Sequence, residues 1–104
     1  MSFRDRAILV TGASRGIGAA IAKAFAAEGG IVIVNYRTNE AAAEAVVAEC
    51  RALGGEALAI GADVTSPEAV AAMATRIADE VGRLDVVVNN AFAPYRFDPD
   101  NRAR

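Results

Sequence analysis

The sequence predicts an α/β fold, a parallel β-sheet with helices packed on both faces. Three observations predict it. Four short apolar runs alternate with three longer segments whose apolar residues recur at helical spacing. The runs are apolar on both faces, which suits strands of a parallel sheet covered on both sides. Glycines stand where each helical segment would end. Strict alternation of strand and helix then implies parallel strands joined by right-handed crossovers.

The elements follow in order. Ala7, Ile8, Leu9 and Val10 predict β1 over about 7–11. Ile17, Ala20, Ile21, Ala24 and Phe25 predict α1 over about 16–28, with this stripe toward the sheet and Gly29-Gly30 at its end. Ile31 to Val34 predict β2 over about 31–36. Ala42, Val46, Cys50 and Leu53 form the stripe of α2, about 40–53, closed by Gly54-Gly55. The weaker run Ala57 to Ile60 predicts β3 over about 56–61. Ser66 and Pro67 read as N-cap and first helical residue of α3, about 67–81, whose stripe is Val70, Met73, Ile77 and Val81 before Gly82. Leu84 to Val88, broken only by Asp85, predict β4 over about 84–89. The folded part is thus expected over 1–91. Residues 92–104, with two prolines, Asp98 and Asp100, read as a loop or frayed tail.

Composition narrows the function. In 104 residues, 54% are hydrophobic and 23% charged, enough for a core and too apolar for a disordered tail. The net charge of −2 and the lack of a basic stripe argue against nucleic-acid binding. No apolar stretch is long enough to span a membrane, and residues 1–6 lack a signal-peptide layout. A single cysteine, Cys50, fits a reducing cytoplasm. The absence of histidine excludes His triads and His metal sites, and Lys23 is the only lysine. No metal site is expected.

Four motifs carry the chemistry. Thr11-Gly12-Ala13-Ser14-Arg15-Gly16-Ile17-Gly18 follows β1 and opens α1. Glycines there allow a tight turn and close approach of a pyrophosphate, and a helix N-terminus favours an anion. The spacing is G-x-x-x-G-x-G, and no lysine follows as in a P-loop. Asn35-Tyr36-Arg37 ends β2, roughly twenty residues on, where an adenosine ribose would lie in a dinucleotide fold. No acid occurs between Glu28 and Glu40, so Arg37 and Arg15 suit a ribose 2′-phosphate, and hence NADP(H) over NAD(H). The plainer reading is two solvated arginines. Asp63-Val64, after β3, suits an adenine edge and face, or equally a loop in which Asp63 accepts local backbone bonds. Asn89-Asn90-Ala91, at the end of β4, has amides that could fix a loop and reach a ligand, or form a plain turn.

Together these motifs, in this order over about residues 5–91, resemble the short-chain dehydrogenase/reductase family, in its N-terminal part and its 3-oxoacyl-(acyl-carrier-protein) reductase-like branch. The resemblance implies a Rossmann-like sheet in the order 3-2-1-4, here truncated after the fourth strand, with NADP(H) along the strand ends. By position, Gly12, Ser14, Arg15 and Ile17 would carry the phosphates, and Gly16 and Gly18 belong to the same cofactor-binding loop. Arg15 and Arg37 would meet the 2′-phosphate, and Asp63 and Val64 the adenine. Asn90 and Ala91 would line the cofactor, while Asn89 would mainly brace β4. One departure is Phe92, where the family usually has glycine.

Two functions are then weighed. One is the nucleotide-binding part of an NADPH-dependent reductase, a homo-oligomer acting on a 3-oxoacyl thioester or similar small-molecule or carrier-linked ketone, as in fatty acid biosynthesis. The other is a stand-alone, non-catalytic NADP-binding or interaction module. A reading frame continuing into a Tyr-x-x-x-Lys segment would favour the first. No catalytic residue is assigned, because four residues after Tyr36 stands Glu40, and four after Tyr95 stands Pro99.

Overall fold

The computed structural model describes residues 2–90. The elements are β1 (Ala7–Val10), α1 (Gly16–Ala27), β2 (Ile31–Tyr36), α2 (Glu40–Ala52), β3 (Glu56–Gly61), α3 (Pro67–Glu80) and β4 (Val86–Val88). The strands form one parallel sheet in the order β3-β2-β1-β4, as expected. β1 is central and fully buried, with Ala7 opposite Ile31 and Val10 opposite Val34 on one side, and Ile8 opposite Val86 on the other.

Alternation along the strands divides the core into two layers. Ile8, Val10, Val32 and Val34 face α1 and α2, packing with Ala22, Ala26, Val46, Val47 and Cys50. Ala7, Leu9, Ile33 and Ile60 face the other way and pack with Met73 and Ile77 of α3. This is the Rossmann-like arrangement. Among the described residues no helix is long and apolar enough to cross a membrane.

The helix ends follow the sequence signals. Ser66 Oγ accepts the Ala69 N–H, with Pro67 at the first position of α3. Gly29, Gly54 and Gly82 all have positive φ just beyond their helices, the left-handed region that glycine enters without a Cβ penalty.

The buried face of α1 corrects the expected stripe. Gly18, Ala19, Ala22 and Ala26 face the sheet, while Ile17 is 74% exposed and Ala20 and Ala24 are exposed as well. Ile21 and Phe25 are half-buried at the margin, Phe25 meeting Phe3 edge-on. Proximity decides this. A Cβ on Gly18 would clash with the Gly12 carbonyl oxygen and Asn90 Nδ2, so at this point of α1 there is no room for a side chain. In α2, Ala43 and Val47 join Val46 and Cys50 in the core, and Leu53 is exposed. In α3, Met73 and Ile77 are buried, but Val70 is exposed. β4 is shorter than expected, and Leu84 lies outside it, exposed.

Candidate functional site

The C-terminal ends of β1, β2, β3 and β4 carry all four motifs, and side chains knit their loops together. Gly12 and Gly16 have φ near +60°, so the loop after β1 turns twice through a region that favours glycine. Asn35, 1% exposed at the end of β2, holds the first of these turns. Its Oδ1 accepts the Gly12 N–H at 3.1 Å and its backbone carbonyl accepts the Ala13 N–H at 2.8 Å. Its Nδ2 donates to the carbonyls of Ile60 and Ala62, both at 3.2 Å, so one amide joins the ends of β1, β2 and β3.

The Asn89-Asn90 pair holds the loop from the β4 side. Asn90 Nδ2 donates to the Gly12 carbonyl at 3.2 Å, and the Asn90 N–H donates to Thr11 Oγ1 at 2.9 Å. Thr11 Oγ1 lies 3.4 Å from Asn89 Oδ1, as a donor. Both backbone groups of Gly12 are therefore used inside the protein. What remains for an anion is the start of α1. Its N-cap, Arg15, makes no side-chain cap, and its first turn carries no acid. The leading N–H groups of a helix have no intrahelical partner. A Cβ on Gly16 would meet nothing within 4 Å, so this turn opens to solvent. These features fit the diphosphate of a dinucleotide.

Toward β2 and β3, the site carries charge. Arg37 Nη2 stands 3.7 Å from Asp63 Oδ2. Asp63 Oδ1 accepts from the Thr65 N–H at 2.9 Å and from Thr65 Oγ1 at 2.6 Å, which is the local loop bonding that one reading of this residue allowed. Those bonds, with the Arg37 charge a smaller cause, hold its carboxyl below the usual range. Val64 and Ser14, in the loops after β3 and β1, are both half-buried. Ala91, Phe92, Tyr95 and the 92–104 tail lie outside the described residues.

Other polar groups lie away from this rim or are engaged. Lys23 pairs with Glu49 of α2 at 2.8 Å, which raises its pKa. Tyr36 donates its hydroxyl to Glu40 at 3.0 Å, and this bond raises the phenol pKa. A hollow lined by Ile31, Glu56, Leu58, Glu80 and Val81 lies where β2 and β3 begin, at the other end of the sheet. Asn35 is the residue whose role sequence reading missed. Its signal was a polar side chain at the end of an otherwise apolar run.

The fold is a Rossmann-like α/β sheet with a glycine-rich loop between β1 and α1. The family model of the short chain dehydrogenases matches residues 6–101, and the chain belongs to that family. A 3-oxoacyl-(acyl-carrier-protein) reductase of Synechocystis sp. is 53% identical over 83 residues, which are 80% of this chain and 34% of the relative. A short chain dehydrogenase from Burkholderia cenocepacia, solved in complex with NADP, is 44% identical with a TM-score of 0.85, over 97% of this chain and 41% of its own. A 7α-hydroxysteroid dehydrogenase solved with NADH and 7-oxo glycochenodeoxycholic acid is 38% identical with a TM-score of 0.83, over 88% of this chain and 36% of its own. The chain spans about a third of the length of the curated relatives it matches.

Proposed function

We propose that this chain is the NADP(H)-binding part of a carbonyl reductase. The observation that carries the cofactor choice is Arg37 at the end of β2, with no acid from 29 to 39 and Arg15 at the start of α1. A carboxylate at that strand end would accept from a free ribose 2′-hydroxyl, whereas a guanidinium pairs with a 2′-phosphate. The start of α1 would take the diphosphate, through the amides near Ser14, Arg15, Gly16 and Ile17. Asp63 and Val64 would border the adenine, and Asn90 and Ala91 the inner ribose. When bound, the cofactor supplies the hydride for a ketone such as a 3-oxoacyl thioester. The NADP-bound neighbour and the acyl-carrier-protein reductase relative support this reading.

The chain alone is not expected to reduce ketones. Its only lysine is paired on the outside of α1, and Tyr36 is held by Glu40. An assay of NADPH oxidation with an acetoacetyl thioester should show no turnover.

Calorimetric titration with NADPH and NADH tests the cofactor. NADPH is expected to bind more tightly, and Arg37→Ala should weaken it by about 1–3 kcal/mol, the range of a charge-assisted bond. Equal affinity for the two cofactors in the unmutated chain would overturn the reading.

A further inference from the structure

We propose that Asp63 sets the strength of 2′-phosphate recognition by competing for the Arg37 guanidinium. The inference rests on the NADP(H) reading above and deepens it. Three features of the pair carry it. First, Asp63 is a fixed partner. Two bonds from Thr65 hold Oδ1 and leave Oδ2 toward Arg37. Second, Arg37 is the exposed one. Its side chain is 65% exposed and reaches Asp63 at 3.7 Å, beyond hydrogen-bond distance, so the pair is a loose one that adds little to stability. Third, the sequence places no acid from 29 to 39, yet the fold brings one to the end of β2 from twenty-six positions away.

A 2′-phosphate gripped by Arg37 would therefore share it with a carboxylate. The anion that arrives must draw the guanidinium from Asp63 or tolerate a like charge within a Debye length of roughly 10 Å at 0.1 M salt. Either way the carboxylate weakens the 2′-phosphate contact. It has no such effect on a nucleotide that ends in a 2′-hydroxyl. Asp63 is thus a selectivity residue acting through Arg37, apart from any contact it makes with adenine.

The test uses the 104-residue chain and two probes that share the adenosine, adenosine 2′,5′-bisphosphate and adenosine 5′-monophosphate. Their affinity ratio cancels a lost adenine contact, which would affect both alike. Circular dichroism checks that each variant is folded. Asp63→Asn should raise the preference for the bisphosphate by about threefold at low salt, fading as salt rises. Asp63→Glu, which keeps the charge, should stay near the unmutated ratio. In an Arg37→Ala background, Asp63→Asn should move the ratio little. A ratio that stays level or falls in Asp63→Asn, while Arg37→Ala still lowers it, overturns this inference and leaves the cofactor reading standing. No preference for the bisphosphate in the unmutated chain, unchanged by Arg37→Ala, overturns both.

Discussion

Asn35 Oδ1 accepts the Gly12 N–H at 3.1 Å, joining the end of β2 to the first glycine turn across twenty-three positions of sequence. The same side chain donates to Ile60 and Ala62, and no buried side-chain nitrogen or oxygen among the described residues lacks a partner. Asn35→Ala should remove the partner of the Gly12 amide and the amide bonds to those two carbonyls. The expected loss is about 3 kcal/mol in urea unfolding, the scale of several buried groups left unsatisfied. Asn35→Leu, close in volume, should not restore it.

Two glycines of the loop should respond differently to alanine. At Gly18 the new Cβ would stand 2.4 Å from the Gly12 oxygen and 2.6 Å from Asn90 Nδ2, so the backbone must move. Gly18→Ala should cost about 3 kcal/mol, at the upper end for overpacking. At Gly16 there is open space but φ is +61°, so Gly16→Ala should cost only about 1 kcal/mol of backbone strain. Denaturant midpoints for the two variants test the order.

Acid sensitivity should trace in part to Asp85. Its carboxylate accepts two bonds from Arg83 and one from the Ala7 N–H at 2.8 Å, pinning the start of β1 beside the start of β4. The Arg83 bond first, then the Ala7 bond, hold its pKa down to about 2. A carboxyl lowered on folding stabilises the fold above its unfolded pKa, about 3.9, and that contribution is lost as pH falls toward 2. Asp85→Asn should melt below the unmutated chain at pH 7, with the gap closing between about pH 4 and pH 2. A gap constant with pH would show that charge plays no part.

β4 pairs with β1 on one side, and among the described residues no strand pairs its other side. Val87, 57% exposed, lies on the face that α3 covers elsewhere in the sheet. An apolar edge of this kind invites pairing with another chain. The 104-residue chain should sediment above monomer mass, and Val87→Lys should shift it toward monomer. A monomer without the substitution would count against an open edge.

The order of elements was legible in the sequence because its signals are local. Apolar runs, helical spacing, Ser66-Pro67 and the closing glycines act within a turn or two of chain, and the elements they mark follow one another in the expected order. The four motifs were legible for the same reason, as was their gathering at one end of the sheet, since parallel strands all point the same way. Tertiary structure alone decided which groups meet. Which face of α1 is buried depends on how near its backbone comes to the loop carrying Gly12. That closeness puts Gly18 in the buried face while the larger Ile17 stays exposed, against what hydrophobicity by itself would rank. The role of Asn35 depends on Gly12, Ile60 and Ala62 ending together, and the neighbour of Arg37 on where the loop after β3 places Asp63. These contacts join residues more than twenty positions apart, and nothing in the spacing of side chains along one strand or helix encodes a distance across the sheet.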